Sequence, residues 1–479
     1  MSIDHIPYHR CKIAVLLLAM LIVGCQGTTS SSSERVNPSK TPNFVIIFID
    51  DMGYGDIAPF GSPQNATPHL DQMAAEGMKL TSFYVGSPVC TASRASLLTG
   101  CYPQRVGLNT GSEHIVLFPG DRWGLNPNEF TMANMFKQKQ YATGIFGKWH
   151  LGDQPQFLPT NYGFDTFYGI PYSNDMWPQL DSLTMPYLPL MSGTQVIDTV
   201  LTMADQGKLA ESLTDKAIDF ITENKDRPFF CYLPHAFVHR PRDASEEFKK
   251  NATSIEEAQV EEVDHTVGRI LKSLKDLKID DNTFVIFTSD NGPSPGMSAG
   301  PLRGRKGSAY EGGHRVPTIV WWPGRIVAGS SSDELMSTID LLPTFASLTG
   351  VSLPEDRVID GKNVWSILAG EEDAKTPHEN FFYQQKGKLA GVRAGAWKYL
   401  LSGELYNLDE DLSEINNMAE ERLDIVSKMK EMITVFEADI SENSREVGKA
   451  TNVKTILPRP GIEGDEAFEP MYHLFMKKN

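Results

Sequence analysis

Asn43-Phe44-Val45-Ile46-Ile47-Phe48-Ile49-Asp50-Asp51 is an unbroken apolar, β-branched run that stops at two acids. Continuous apolarity, without alternation, suits a strand buried on both faces of a parallel sheet. A second run of the same character, Thr283-Phe284-Val285-Ile286-Phe287-Thr288-Ser289, stops at Asp290 and Asn291. Between them the pattern predicts helices over 131–139, 209–224 and 254–277, and strands over 142–146 and 228–233. A further helix is predicted over 67–77, with Thr67 as N-cap, Pro68 in the first turn and Gly77 as the stop. Strands alternating with helices imply an α/β fold with a mostly parallel sheet sandwiched by helices.

The flanks differ in character. Arg10 and Lys12 precede an apolar stretch, Ile13 to Val23, too short to span a bilayer comfortably. It ends in Leu21-Ile22-Val23-Gly24-Cys25, which resembles a bacterial lipobox, so 1–25 reads as a signal peptide whose Cys25 becomes lipidated. Residues 26–40, rich in Ser and Thr, read as a tether. The expected location is extracytoplasmic: a periplasmic or outer-membrane lipoprotein, with plain secretion as the fallback. The main domain is expected over 41–377. Past 378, short β-like pieces at 391–401 and 404–408 surround Ser402 and Gly403, and a helix is predicted over 424–437. Residues 378–479 are therefore expected to form a smaller C-terminal α+β subdomain with a Pro-, Gly- and acid-rich tail.

A formal charge of −17 over 479 residues argues against a nucleic-acid partner, because phosphate neutralisation needs clustered Lys and Arg. It does not exclude an anionic substrate, since a few cations focused in a cleft outweigh a distant acidic surface. Of five cysteines, Cys11 and Cys25 belong to the leader. Cys101 and Cys231 could pair in an oxidising compartment or remain two buried thiols, and no spacing suggests zinc.

Asp50-Asp51 and Asp290-Asn291 each follow a buried strand. In open α/β sheets ligands bind beyond the strand carboxyl ends. Brought together, these side chains form a hard-oxygen cluster suited to Ca²⁺ or Mg²⁺. Either pair alone would more simply be a turn former. The balance changes with Cys90-Thr91-Ala92-Ser93-Arg94, continued by Leu97-Leu98-Thr99-Gly100. This stretch resembles the maturation motif of the formylglycine (type I) sulfatases, with Ala92 where most members carry Pro. Other blocks follow in the family's order. They are Gly147-Lys148-Trp149-His150-Leu151-Gly152, Ile170-Pro171-Tyr172-Ser173, and Pro234-His235-Ala236-Phe237-Val238-His239-Arg240-Pro241. Thr288-Ser289-Asp290-Asn291-Gly292, Leu302-Arg303-Gly304-Arg305-Lys306-Gly307 and Tyr310-Glu311-Gly312-Gly313 complete the set. The resemblance spans about 43–412 and is strongest to the arylsulfatase A and N-acetylgalactosamine-6-sulfatase branch.

That resemblance implies an alkaline-phosphatase-like fold and hydrolysis of sulfate esters, of sulfated carbohydrates or aryl alcohols. It implies a formylglycine made from Cys90 by a formylglycine-generating or anaerobic sulfatase-maturating enzyme. The metal, Ca²⁺ with Mg²⁺ as the alternative, falls to Asp50, Asp51, Asp290 and Asn291 together with residue 90. Asp290 also becomes a candidate acceptor for the proton of the attacking hydroxyl. Arg94 and Lys148 are expected to hold the hydrated aldehyde, and His150 to drive sulfate elimination. His239 and Lys306 are expected to contact the sulfate and protonate the leaving oxygen, and Ser173 to touch the site. His235 is open between structural, subsite and catalytic roles. The segments 111–126 and 175–207 are expected to be specificity loops. Two other readings stay open: a phosphonate or phosphate ester hydrolase of the same superfamily, and a non-catalytic binder of sulfated glycans. In the expected mechanism one hydroxyl of the hydrated aldehyde attacks sulfur and the other expels sulfate. A serine lacks the second hydroxyl. Cys90→Ser should therefore accumulate covalently sulfated protein, visible as a mass increase, and stall; sustained turnover would rule this chemistry out.

Overall fold

The computed structural model describes residues 41–109, 116–178 and 185–458. The leader and tether lie outside these residues, as does the tail from 459. Among the described residues no helix is long and apolar enough to cross a membrane.

The opening run forms β1, Asn43–Ile49, with all seven residues buried. The chain continues through α1, Pro68–Glu76, β2, Met78–Leu80, and α2, Cys90–Thr99. Next come α3, Met132–Lys137, β3, Ala142–Lys148, and β4, Thr166–Ile170. An antiparallel pair, β5, Leu188–Ser192, and β6, Gln195–Val200, precedes α4, Leu209–Glu223, and β7, Phe229–Pro234. Then come α5, Ile255–Asp276, β8, Thr283–Ser289, β9, Thr318–Trp321, and β10, Ser330–Ser332.

These ten strands form one sheet in the order β10-β2-β9-β8-β1-β7-β3-β4-β5-β6. The central five, β8, β1, β7, β3 and β4, run parallel, and antiparallel pairings enter on both sides of them. The edges carry short strands that weak local patterning leaves invisible in the sequence.

The period-two side-chain alternation of β1 explains the three layers. Phe44, Ile46 and Phe48 pack with Leu97, Leu98, Met135, Phe136 and Phe345 on one face. Val45, Ile47 and Ile49 pack with Leu70, Met73, Leu213, Val263 and Ile270 on the other. Both faces are covered, which is why this strand reads as continuously apolar.

Two local expectations fail, for physical reasons. Thr67 sits at the N-cap of α1, yet its hydroxyl accepts from Ala58 N–H instead of capping the helix. The cap comes from α5: Asp264 accepts from His69 N–H at 3.1 Å and Leu70 N–H at 2.8 Å. Gly77 does end α1, but not through a left-handed turn; a Cβ there would lie 2.1 Å from the Val320 carbonyl oxygen. The expected loop 175–207 contains β5, β6 and a short helix, Met203–Gly207. Cys101 and Cys231 are buried free thiols.

The C-terminal part is an antiparallel sheet of β11, Phe381–Gln385, β12, Lys388–Ala394, β13, Trp397–Leu400, and β14, Glu404–Asn407. The helix α6, Leu423–Asn443, packs on it through Val426, Met429, Ile433 and Phe436. It is joined to the segment around Glu311 by a buried charge cluster. Lys398 Nζ lies 3.0 Å from Glu311 Oε1 and 2.7 Å from Glu414 Oε1, all three side chains wholly buried. Tyr383 and Tyr84 hydroxyls donate to Glu311 at 2.7 and 2.5 Å. Burial pushes the Glu311 carboxyl up, but Lys398, Arg315 and Arg393 outweigh it and keep it ionised. Removing the cation alone leaves Glu414 buried without its ion pair and Glu311 with Arg315 as its remaining one. Lys398→Met should therefore destabilise the protein by about 3–5 kcal/mol, measured as a lower urea midpoint. A change under 1 kcal/mol would show that the cluster is not holding the two parts together.

Candidate active site

The register of the central strands assembles the site. β1 pairs with β8 from Asn43 opposite Thr283 to Ile49 opposite Ser289, so Asp50 and Asp290 leave the sheet side by side. On the other flank Phe48 faces Pro234 of β7, which brings His235 to the same edge. Lys148 is the last residue of β3. The crevice at the carboxyl ends therefore gathers residues that are far apart in the chain.

The charged groups here are buried, except for Lys306, which is partly exposed, and they balance one another. Lys148 Nζ donates to Asp50 Oδ2 at 2.6 Å and to Ser173 Oγ at 2.9 Å. The Arg94 guanidinium, on the first turns of α2, lies 2.8 Å from Asp290 Oδ2 and 3.4 Å from Asp50 Oδ2. It also donates to the Lys148 carbonyl at 3.0 Å. Lys306 Nζ lies 2.6 Å from Asp51 Oδ1, and His239 Nε2 lies 3.6 Å from Asp51 Oδ2. Burial raises the Asp50 carboxyl, but Lys148, His239, Arg94 and Lys306 together hold it well below the usual range. Asp51 is likewise lowered, burial being outweighed by Lys306 and His239. Asp290 goes the other way: burial and the neighbouring Asp50 charge push it up to about 7.

Cys90 opens α2 and is 2 % exposed. Burial raises its thiol pKa while Lys148 and Lys306 pull it down, and Asp50 and Asp290 also act on it. The thiol thus sits inside the charged cluster. His150 follows Lys148 by two residues with φ +60°, and Asp51 has φ +65°. A left-handed conformation costs a non-glycine residue roughly 1–2 kcal/mol, and strain of this kind concentrates at functional sites. His150 Nε2 is 2.9 Å from the Leu117 carbonyl, whose own N–H donates to Thr91 Oγ1 at 3.2 Å. Nε2 is thereby the protonated nitrogen, and Nδ1, buried without a partner, keeps its lone pair. Burial first, then Lys148, hold this imidazole neutral, well below its usual pKa.

A cation fits the oxygen cluster. Asp50 Oδ1 and Asn291 Oδ1 are buried acceptors with no hydrogen-bond partner. Asn291 Nδ2 donates to Asp51 Oδ1 at 2.7 Å, which ties this amide to the acid cluster. Asp50, Asp51 and His239 offer ligand atoms within 4.8 Å of one another. Asp290 is closer to Arg94 and to the Asp51 N–H, which donates to Asp290 Oδ1 at 3.1 Å. The cluster of oxygens is hard, which suits Ca²⁺ or Mg²⁺.

The structure brings together Asp50, Asp51, Cys90, Arg94, Lys148, His150, Ser173, His239, Asp290, Asn291 and Lys306 at one edge of the sheet. His235 is buried beneath them: its Nδ1 accepts from Phe237 N–H at 3.0 Å, and burial lowers its pKa to about 4. Sequence reasoning missed Thr91 and Leu117, which orient His150, and the cleft wall formed by Arg240, Arg242, Glu256 and Ser294. No spacing or periodicity marks a backbone carbonyl as a ligand of a distant histidine. Arg242 and Glu256 are only 14 residues apart, but their 2.8 Å ion pair has no motif.

Residues 42–351 match the family described as Sulfatase, and residues 305–439 match N-sulphoglucosamine sulphohydrolase, C-terminal. N-acetylgalactosamine-6-sulfatase of Canis lupus familiaris is 38% identical over 377 residues, covering 75% of this chain and 71% of that protein. Arylsulfatase A of Homo sapiens is 38% identical over 388 residues, 75% of each chain. Among solved structures, PsFucS1 sulfatase from Pseudoalteromonas sp. superposes with a TM-score of 0.79 at 26% identity, covering 85% of this chain and 92% of that one. Ps i-CgsB in complex with k-i-k-neocarrahexaose gives a TM-score of 0.73 at 29% identity, covering 83% and 93%. A phosphonate monoester hydrolase of Agrobacterium radiobacter, 18% identical with a TM-score of 0.60, shares the fold. With the strand-end acids, the buried cations and the Cys90 helix in this arrangement, the chain belongs to the sulfatase family, whose members hydrolyse sulfate esters.

Proposed function

We propose that this sulfatase acts on sulfated carbohydrates through a formylglycine made from Cys90 and a Ca²⁺ ion held by Asp50, Asp51, Asp290, Asn291 and residue 90. The observation that carries the reading is the pair of orphaned acceptors, Asp50 Oδ1 and Asn291 Oδ1, buried beside three lysine and arginine side chains. Unsatisfied buried oxygens are costly, and an oxygen-preferring cation would satisfy them. Held there, such an ion would supply Lewis-acid stabilisation of the sulfate's charge, and a hydrated aldehyde at residue 90 would supply the attacking hydroxyl.

The chain's own residues do the rest. Arg94 and Lys148 neutralise negative charge at residue 90, from positions their ion pairs already hold. Asp290, with its raised pKa, is placed to take a proton. His150 Nδ1 is the free lone pair of a neutral ring and serves as the base that drives sulfate release. His239 and Lys306 face the open cleft, so they meet the bridging oxygen of the ester and protonate it as it leaves. Ser173 steadies Lys148.

The carbohydrate assignment is supported by relatives named for N-acetylgalactosamine 6-sulfate and by a neighbour holding a carrageenan-type oligosaccharide. The lipobox-like stretch ending at Cys25 and the Ser-rich tether support an extracytoplasmic enzyme that meets the membrane only through its lipid and encounters glycans outside the cell. A formylglycine-generating or anaerobic sulfatase-maturating enzyme is the partner this chemistry requires.

Mass spectrometry of the Cys90 peptide from natively matured protein should find the aldehyde or its hydrate; an intact thiol in the active fraction would sink the proposal. Calcium in excess should raise the thermal midpoint, since a ligand at 100 times its Kd adds about 2.7 kcal/mol. Asp51→Asn should lose most of that shift. The same shift in wild type and variant would remove Asp51 from the ligand set.

A further inference from the structure

The cleft above the reacting centre is about 720 Å³, far larger than one sulfate needs, and its wall is polar. Among the described residues that line it, only Pro241, Ile255 and Pro295 are apolar, and none is Phe, Tyr or Trp. Apart from the His239 imidazole, such a lining offers an aryl group no ring face to stack on. It contains three lysine and arginine cations, and two are already engaged. Lys306 is ion-paired with Asp51 at 2.6 Å. Arg242 is fixed by Glu256 at 2.8 Å, Ser294 Oγ at 2.8 Å, and the Val238 and Pro295 carbonyls, each at 3.0 Å. Arg240 is exposed, and among the described residues no side-chain hydrogen bond or ion pair engages it. The remaining acid of the wall, Asp175, is engaged within the protein.

Arg240 is also placed where it can read the substrate. Its carbonyl oxygen accepts from His239 Nδ1 at 2.5 Å. Pro241 follows and restricts the backbone of the residue before it. The free guanidinium therefore starts from a backbone fixed to the histidine that meets the leaving oxygen. A guanidinium presents a planar fork that matches a carboxylate or sulfate with two parallel hydrogen bonds.

Resting on the sulfatase reading above, we infer that Arg240 forms a subsite for a second anionic group, a sulfate ester or a uronic acid carboxylate, carried beside the ester that is cleaved. The substrate is then a polyanionic glycan, and the cleft selects it over neutral monosulfated sugars and aryl sulfates. A chain of net charge −17 repels such a substrate at long range, so a focused local cation is what lets it dock.

The test uses the full, matured enzyme with Arg240→Ala and Arg240→Lys. Three probes are compared at one ionic strength: a neutral disaccharide carrying one sulfate, its counterpart with a second sulfate, and a counterpart with a uronic acid in place of the neutral neighbour. The ratio of kcat/KM, anion-bearing over neutral, should fall at least tenfold in Arg240→Ala. The change should lie in KM more than kcat, with Arg240→Lys in between. A fall only with the disulfated probe assigns the site to sulfate, and a fall only with the uronate assigns it to carboxylate. An unchanged ratio in variants that turn over the probes overturns the subsite and leaves the sulfatase reading standing. A matured wild-type enzyme that hydrolyses none of the probes, nor nitrophenyl sulfate, overturns both.

Discussion

Three carboxylates cannot be packed at the end of a dry sheet unless something neutralises them. Asp50, Asp51 and Asp290 are 0%, 1% and 0% exposed, so water contributes almost nothing. Lys148, Arg94 and Lys306 match them charge for charge, each within 2.8 Å of its nearest carboxylate. The rest of the architecture serves this balance. β1 and β8 bring the acids together, β3 delivers Lys148, α2 delivers Arg94, and the loop after β8 delivers Lys306. A divalent ion added to a neutral cluster leaves it positive by two charges, which is the field an incoming sulfate requires. The raised pKa of Asp290 reflects the same constraint, because it is wholly buried and stands beside the charges of Asp50 and Asp51.

The central strands were legible because double-sided burial leaves a mark in composition: NFVIIFI and TFVIFTS contain almost nothing that water would favour. The strand-end acids, Cys90 and the lysine, arginine and histidine residues gathered with them stood out for a different reason, namely that they fall in short blocks of particular residue types. Residues that act through shape or backbone left no such mark. Asp264 caps a helix 194 residues away, and nothing in its surroundings distinguishes it from other acids on an amphipathic helix. Thr67, the residue that propensity favours as the cap, has its hydroxyl bound to Ala58 instead. Tertiary contact overrode a local preference worth only about 1 kcal/mol.

Backbone geometry was the other hidden layer. Asp51 and His150 both adopt left-handed conformations without being glycine. In each case the neighbour in the chain is already committed: Asp50 to Lys148 at 2.6 Å, and Lys148 through that same bond. Turning the chain sharply at the next residue or two is how one short segment presents two side chains to one small volume. The cost is met by the hydrogen bonds that follow, Asp51 N–H to Asp290 Oδ1 at 3.1 Å and His150 N–H to the Pro171 carbonyl at 3.1 Å.

The C-terminal sheet gains a purpose from the same argument. Lys306 lies on a loop without regular structure, yet it must hold a strongly charged head at a fixed point. That loop is fastened from below by Lys306 N–H to the Pro293 carbonyl at 3.1 Å and by Gly307 N–H to the Pro88 carbonyl at 2.9 Å, two residues before Cys90. It is fastened from behind by Glu414, whose carboxylate accepts from Glu311 N–H at 2.7 Å and whose carbonyl accepts from Arg303 at 2.7 Å. Gly292 completes the seam, since a Cβ there would lie 1.7 Å from the Gly312 carbonyl oxygen. Glu311, Lys398 and Glu414 thus form a second buried charge cluster behind the first. A single loop spans the two: its near end carries Lys306, and its far end is anchored by Lys398 and Glu414 of the C-terminal part. A smaller domain lacking β13 would leave Glu311 buried without its lysine, and the loop would lose the rear support that the position of Lys306 requires.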